Sequence, residues 1–267
     1  MNHPKTILFS IGARARKSLS QSFLKSPFWS ERLVAALSDC EAEEYWEIGP
    51  GLGALTSLLG LKTTKPIKLF EYDRKITEFL RRKFPRFEII EGDFLEWDFP
   101  GTYPKKGNIA VISNLPYHLS SPIFFKLLSH RHWFKRLVLT FQKEFGDRLL
   151  GTPRTKSYGA LSVLAQLHFK IDTLGILPPG AFYPQPEVSS QALILTPLPS
   201  TPLFGVEKVV KAAFSHRRKK ALSNLKEYFP DAPMAEVFDR LSLSSVSRAE
   251  ELTKEKFVEL AKAISSP

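Results

Sequence analysis

The sequence predicts an α/β protein whose mostly parallel sheet contains one antiparallel strand, followed by a small all-α C-terminal domain. Apolar strand-like runs alternate with helix-like segments through most of the chain, which is typical of a parallel sheet covered by helices. The last two strand-like runs leave no room for a helix between them, so one should run antiparallel. Residues 196–202 are rich in Pro and Ser, which is typical of a linker, and only helical periodicity follows. The expected domains are residues 1–198 and 199–267.

Each expected element is marked by a local pattern. The strand-like runs, in chain order, are "YWEIG", "IKLFEYD", "FEIIEGD", "NIAVIS", "RLVLTFQ", "KIDTLGIL" and "SQALILTPL". The helix-like segments among them are "ALTSLLG", "RKITEFLRRKF", "PIFFKLLSH", which has Pro122 in its first turn, and "YGALSVLAQLHF". In the C-terminal domain, "VEKVVKAAFSHRRKKALSNLKEYF" and "KEKFVELAKAI" have the period of a helix.

The charge of the chain favours a polyanionic partner. Its 267 residues include 38 basic and 27 acidic side chains, and 38 − 27 gives a formal net charge of +11. Nucleic acid and an anionic membrane surface both fit this excess, and a merely basic protein is the alternative. The single cysteine, Cys40, excludes an intrachain disulfide and a cysteine zinc cluster and is typical of a reducing compartment. The longest apolar runs fall well short of the ~20 residues of a membrane span.

The N-terminal segment is basic and contains no acidic residue from Met1 to Ser30. Arg14, Arg16 and Lys17 are its densest cluster of positive charge. Such a segment is typical either of an organellar transit peptide or of an arm that lies on nucleic acid. We favour the arm, because the motif that begins at Gln21, "QSFL", follows Arg14 to Lys17 closely in the chain.

Three consecutive strands end in residues suited to an adenosine site. Gly49 and Gly51 lie in the turn "GPGLG" between a strand and a helix, where a ligand can approach the backbone closely. Glu71 ends the next strand, where a carboxylate can bind both ribose hydroxyls, and Asp93 ends the third, where it can accept from an adenine amino group. The short loop provides no pyrophosphate cradle and no P-loop lysine, so S-adenosylmethionine fits better than NAD or a triphosphate. A solvated glycine turn with exposed acids is the structural alternative.

The motif "NLPY" follows the fourth strand and suits an exocyclic amino group. Asn114 and the Leu115 carbonyl provide two acceptors for the two hydrogens of an –NH₂ group. Pro116 restricts the backbone, and Tyr117 offers a flat ring on which a base can stack. Phe182, before "YPQPEV", could close on the other face of the base. The structural alternatives are a turn that only ends a strand and a buried Phe beside prolines.

The motifs together resemble one family. "SQSFL", "EIGPGLGALT", "EYD", "GDF", "NLPYHLSSPI", "QKEFGDRL", "FYPQPEVSS" and "FSHRRKKALSNL" occur in this order and resemble the ribosomal small-subunit RNA adenine dimethyltransferase family, KsgA. The resemblance implies a Rossmann-like methyltransferase domain with a helical RNA-binding domain. It also implies N6-dimethylation of two adjacent adenines near the 3′ end of small-subunit rRNA, with S-adenosylmethionine as donor. The expected partner is the pre-small-subunit ribosomal particle, and we expect a cytoplasmic monomer without a metal.

The resemblance also assigns residues by position. Leu24, Gly49, Glu71, Asp93 and Asn114 match the family's cofactor contacts. The segment from Asn114 to Tyr117, together with Phe182, matches its target-adenine site. Ser22 stands where the family has a cofactor-contacting asparagine, which puts cofactor affinity in question. The basic arm of the family covers Arg14 to Lys17, which leaves little room for a transit peptide.

A run of basic residues in the C-terminal domain is expected to contact RNA phosphates. Arg217, Arg218, Lys219 and Lys220 follow His216 directly, and we expect them on a helix. A solvated charged face is the alternative.

Two other functions remain open from the sequence. The sister family that methylates large-subunit rRNA and confers macrolide resistance has similar motifs, although "GPGLGALT" and the leucine of "NLPY" favour the small subunit. A noncatalytic RNA-binding assembly or transcription factor is the second, and the intact Asn114, Glu71 and Asp93 argue against it.

Overall fold

The computed structural model describes residues 3–16, 21–99, 107–199 and 205–265. The chain forms two compact units. The sheet unit comprises Met1–Gly146 and Lys170–Pro197, and the helical unit comprises Asp147–Phe169 and Leu198–Pro267. The boundary expected near residue 198 therefore lies close to the start of the second stretch of the helical unit, which also contains an earlier segment.

The elements include the seven expected strands, together with two short strands and several helices that the sequence analysis did not single out. The strands are β1 (Phe23–Leu24), β2 (Glu44–Ile48), β3 (Ile67–Glu71), β4 (Glu88–Glu91), β5 (Ile109–Asn114), β6 (Phe134–Gln142), β7 (Phe169–Leu177), β8 (Phe182–Tyr183) and β9 (Ser190–Pro197). The helices are α1 (Pro4–Ser10), α2 (Pro27–Ala35), α3 (Ala54–Lys62), α4 (Arg74–Lys83), α5 (Ser120–Ser129), α6 (Lys143–Leu149), α7 (Ala160–His168), α8 (Val206–Ala213), α9 (Ala221–Tyr228), α10 (Met234–Arg240) and α11 (Lys254–Ser265).

Within the described ranges, seven strands form the central sheet in the order β4-β3-β2-β5-β6-β9-β7. The pairs β3–β4, β2–β3, β2–β5 and β5–β6 are parallel, whereas β9 runs antiparallel to β6. The mostly parallel sheet with an antiparallel strand is thus confirmed. The strand order reverses between β2 and β5, and the crevice at such a switch point is where open α/β sheets bind ligands.

The sheet is held by an apolar row across its central strands. Ile112, Val138 and Ile194 are paired across β5, β6 and β9. They pack in one cluster with Leu33 of α2 and Leu59 of α3. β-branched side chains favour strands, and each fully buried aliphatic side chain contributes about 1.5–3 kcal/mol. This packing gives the carboxyl ends of the strands a rigid base.

The helical unit has its own core. Helix α7 packs against α8 and α11. The buried Tyr158 hydroxyl donates to the Leu252 carbonyl at 2.8 Å, so the polar tip of this large ring is satisfied. Phe257 is also buried, and its ring lies 5.6 Å from that of Phe214. Among the described residues of both units, no helix is long and apolar enough to cross a membrane.

The basic run His216–Lys220 does not lie on a helix, which corrects the expectation from the sequence. Helix α8 ends at Ala213, and residues 214–220 form a loop before α9. Asn224 explains the break, because its buried Nδ2 donates to the carbonyls of Ala213 (2.7 Å) and His216 (3.1 Å). These bonds satisfy carbonyls that a continuous helix would have used.

Candidate active site

A cavity of about 280 Å³ opens at the carboxyl ends of the parallel strands in the sheet unit. Its lining includes every residue expected to contact a cofactor, namely Ser22, Leu24, Gly49, Gly51, Glu71, Asp93 and Asn114. Leu115, Pro116 and Tyr117 line it as well. The fold therefore brings the glycine turn, the two acids and the "NLPY" motif to one place.

The glycine turn brings the backbone close to the N-terminal strand. Gly49 and Gly51 have φ of +64° and +52°, in the left-handed region that glycine adopts without strain. A Cβ on Gly51 would lie 2.9 Å from Cδ1 of Phe23. A larger residue at this position would therefore require the ring of Phe23 on β1 to shift.

Glu71 is a buried carboxylate held by backbone donors. The Asp73 amide donates to its Oε1 at 2.8 Å, and the Gly51 amide donates to its Oε2 at 3.2 Å. Burial raises the pKa of Glu71 to about 7, and these two hydrogen bonds oppose the shift. The carboxylate is thus oriented, and each oxygen keeps a further lone pair that could accept from a ribose hydroxyl.

The half-buried Asp93 lies in the same lining at the end of β4. Its Oδ1 accepts from the Leu95 amide at 2.8 Å. This bond orients the carboxylate, whose second oxygen could accept from an adenine amino group.

Glu47 is a site residue that the sequence analysis missed. It lines the cavity, is 1% exposed, and accepts from the Thr56 hydroxyl at 2.6 Å. Burial raises its pKa to about 8, so the neutral acid predominates at pH 7. The available signal was an acid inside the apolar strand "YWEIG", two positions before Gly49.

Asn114 presents an acceptor without a partner. Its Nδ2 donates to the Ser22 carbonyl at 2.9 Å, which fixes the amide plane. Its Oδ1 is buried and has no hydrogen-bond partner among the described residues. Leaving a buried acceptor unpaired costs about 1–3 kcal/mol. A ligand donor in this cavity would relieve that cost.

Tyr117 is oriented by a residue that the sequence analysis did not single out. Its hydroxyl lies 2.6 Å from Oγ of Ser190, which is fully buried at the start of β9. Burial raises the pKa of Tyr117, so the phenol stays neutral at physiological pH. The bond ties the turn that follows Pro116 to the sheet and holds the ring at the cavity.

Phe182 lies in the core rather than at the cavity. It pairs with Leu24 through the short antiparallel ladder of β1 and β8, and its side chain is 0% exposed. It packs in the apolar cluster that also contains Ala181 and Leu177. In this arrangement the ring offers no face to a base, so the stacking role of Phe182 stays a prediction that requires a displacement of β8.

The N-terminal segment is anchored beside the cavity. The Ser22 hydroxyl donates to the Pro184 carbonyl at 2.8 Å, so this side chain joins β1 to the proline-rich loop. Arg16 forms an ion pair with Asp73 at 3.4 Å, and Arg14 is exposed. Lys17 lies outside the described residues.

The other predicted RNA-contacting residues differ among themselves. Arg217 donates to Glu250 (3.0 Å) and to the carbonyls of Lys156 (2.9 Å) and Tyr158 (3.0 Å). Lys219 lies 3.7 Å from the Glu227 carboxylate. Within the described part of the chain, Arg218 and Lys220 are exposed and have no ion-pair partner.

Comparison with known proteins agrees with this geometry. A protein of Geobacter sulfurreducens called ribosomal RNA small subunit methyltransferase A is 39% identical, over 95% of this chain and 96% of the relative. The crystal structure of a dimethyladenosine transferase from Plasmodium falciparum superimposes with a TM-score of 0.77 at 25% identity, covering 89% of this chain and 95% of that one. The 23S rRNA methyltransferase ErmE shares the fold, with a TM-score of 0.69 at 21% identity, covering 91% of this chain and 100% of that one. The family model for ribosomal RNA adenine dimethylase matches residues 12–266. The chain therefore belongs to the ribosomal RNA adenine dimethylase family.

Proposed function

We propose that this protein uses S-adenosylmethionine to dimethylate N6 of two adjacent adenines near the 3′ end of small-subunit rRNA. The observation that carries the proposal is the buried, unpaired Oδ1 of Asn114 in a cavity that also contains Glu71 and Asp93. An acceptor for an amino group beside acceptors for a nucleoside fits a methyltransferase that acts on an exocyclic amine.

The residues present fit S-adenosylmethionine. The left-handed turn at Gly49 and Gly51 leaves its backbone open to the cavity, where a Cβ on Gly51 would contact Phe23. Glu71 would accept from the ribose hydroxyls, and Asp93 from the adenine amino group of the cofactor. The cofactor supplies an electrophilic methyl group on a sulfonium.

The "NLPY" motif would position the nucleophile. An aryl amine is a weak nucleophile because its lone pair is delocalised into the ring. Asn114 Oδ1 and the Leu115 carbonyl accept its two hydrogens, which orients the nitrogen and favours a pyramidal geometry. Tyr117, held by Ser190, stacks on the base. Catalysis then depends on positioning rather than on a strong general base.

The small-subunit substrate is supported by the 39% identity to the Geobacter sulfurreducens protein. The shared fold of ErmE does not distinguish the two rRNA substrates, because both families have this architecture. The net charge of +11 fits a folded RNA particle, and we propose the pre-small-subunit ribosomal particle in the cytoplasm as the partner of a monomeric enzyme.

Mapping of N6-dimethyladenine tests this function. Small and large subunits from a strain lacking the corresponding enzyme are incubated with the protein and labelled S-adenosylmethionine, and each rRNA is then digested and analysed by mass spectrometry. We expect two adjacent dimethyladenines near the 3′ end of the small-subunit rRNA and little transfer to a naked oligonucleotide. Label in the large subunit would support the sister activity, and binding without methyl incorporation would support an assembly factor.

A further inference from the structure

We infer that a second basic loop, residues 150–159, joins the 214–220 loop to form one binding surface for the RNA phosphate backbone. This inference rests on the proposed RNA substrate and extends it to residues outside the recognised motifs. The 150–159 loop connects α6 to α7 and contributes Arg154 and Lys156.

Arg217 joins the two loops. Its guanidinium donates to the carbonyls of Lys156 and Tyr158 at 2.9 and 3.0 Å. Its Nε also donates to the Glu250 carboxylate at 3.0 Å. Arg217 is thus used inside the helical unit, where it neutralises Glu250 and fixes the path of the 150–159 loop. This role differs from direct contact with RNA.

Glu250 connects the loops a second time. Its carbonyl accepts from the Arg154 amide at 2.8 Å, while its carboxylate accepts from Arg217. Arg154 has φ of +68°, in the left-handed region that side-chain-bearing residues rarely adopt. A non-glycine residue in this region persists where its surroundings hold it, and such positions concentrate at functional sites.

The exposed cations of both loops have no acidic partner in the part of the chain that the structure describes. Within the described residues, Arg154, Lys156, Arg218 and Lys220 are all exposed and form no ion pair. The nearest acid in the contacts above, Glu250, is already paired with Arg217. Cations without an acidic partner, on loops joined through Arg217 and Glu250, suit phosphate contacts, which position a nucleic acid without reading its sequence.

The experiment measures binding to unmethylated small ribosomal subunits at several salt concentrations. The test variant is R154Q with K156Q, and the control is K208Q with K262Q, which removes the same charge from exposed positions on α8 and α11. We expect the test variant to make the slope of log affinity against log salt shallower by roughly 1–2. The control and the charge-conserving pair R154K with K156R should keep the wild-type slope.

Two outcomes would overturn the inference: a wild-type slope in the test variant, and an equal change of slope in the control. A wild-type slope together with weaker binding would indicate a protein contact instead. Thermal melting of each variant identifies any loss of folding, and in that case the single variants R154Q and K156Q decide, each with an expected change of roughly 1 or less. Methyl transfer by the wild-type protein, measured on the same subunits, tests the proposed function separately.

Discussion

The cavity of the sheet unit and the basic loops of the helical unit differ in how far their polar groups are exposed to water. The polar groups of the cavity are buried: Glu71 is 6% exposed, and Asn114 Oδ1 is buried and has no hydrogen-bond partner in the described part of the chain. The loops present exposed cations such as Arg218 and Lys220 on irregular backbone. Buried polar groups interact strongly because water does not screen them, whereas exposed charges interact weakly and in proportion to their number.

This difference predicts two kinds of mutational response. In the cavity, the loss of one polar side-chain group should lower turnover or cofactor affinity by a large factor, with little dependence on salt. On the loops, each charge should contribute a small, salt-dependent share of affinity. The following predictions test this contrast, from the largest expected effect to the smallest.

Substitution of Asn114 by Ala should lower kcat/KM by roughly 10²- to 10³-fold, the range seen when one positioned polar group is removed from an active site. RNA affinity should stay within about twofold. Thr140 offers a matched control, because its hydroxyl is also buried without a hydrogen-bond partner among the residues described, and it pairs with Asn114 across β5 and β6. T140V should keep turnover near that of the wild type. Single-turnover methyl transfer by N114A and T140V, followed at several RNA concentrations, measures the rate and the RNA affinity of each variant. Near-normal turnover in N114A would exclude Asn114 from the mechanism.

Cofactor affinity should rise as pH increases through about 7, the value to which burial raises the pKa of Glu71. The charged carboxylate is the better acceptor for ribose hydroxyls, so binding below this pH requires loss of a proton. E71Q should weaken binding by about 10- to 100-fold, the loss expected for hydrogen bonds to a charged group, and should flatten the pH profile. Calorimetry at pH values from about 6 to about 8.5 measures cofactor affinity on both sides of the Glu71 pKa.

Glu47 provides the control for that titration. Burial raises its pKa to about 8, so E47Q replaces a group that is already neutral at pH 7 and should change affinity there only slightly.

The free energy of unfolding should change with pH in the direction opposite to cofactor affinity. Since the folded pKa of Glu71 lies above its ordinary value of 4.5, the unfolded chain ionises first. The free energy of unfolding should therefore fall as pH rises from about 4.5 to about 7, and E71Q should reduce that fall. A pH profile that persists in E71Q would assign the titration to another group.

Within the basic run, R218Q with K220Q should make the salt slope of RNA binding shallower by roughly 1–2. R217Q should instead lower the melting temperature, because it leaves Glu250 and two carbonyls without their donor. The expected destabilisation is about 1–2 kcal/mol, since the pair is partly exposed. Salt-dependent binding and thermal melting of both variants separate the two roles. A larger slope change in R217Q than in the double variant would contradict the assignment of Arg217 to a structural role and of Arg218 and Lys220 to RNA contact.

Ser22 should give the smallest effect. S22N restores the side chain of the family pattern and can add one hydrogen bond, about 0.5–1.5 kcal/mol, or at most about tenfold in affinity. The Ser22 hydroxyl already donates to Pro184, so part of this gain is offset by the bond that is lost. We expect cofactor binding to tighten by a few-fold in calorimetry. Clearly weaker binding would show that the Ser22–Pro184 contact matters more for the position of β1.

The sequence was sufficient for the seven strands of the central sheet, for the glycine turn and for the clustering of the residues expected to contact a cofactor. Period-two and period-3.6 patterns, and the Gly and Pro residues that interrupt them, act over a few positions and can be read locally. The carboxyl ends of parallel strands then meet at one edge, so Gly49, Glu71, Asp93 and Asn114 had to lie near one another. The sequence did not predict the loop at the basic run His216–Lys220, because α8 ends where Asn224 of the next helix donates to the Ala213 carbonyl.

The remaining features depend on partners far away in the chain. Asn114 and Ser22 are 92 positions apart, and Arg217 and Tyr158 are 59 apart. Local patterns contain no information on whether such groups are in contact. Neither the Asn114 Oδ1 left without a partner among the described residues nor the bonds from Arg217 to the 150–159 loop were therefore predictable. The same limit applies to the burial of Phe182 and to the raised pKa of Glu47, because burial and desolvation are set by everything that packs around a side chain. Residue types and spacing thus determine which chemistry is available, and long-range packing determines which atoms remain free to perform it.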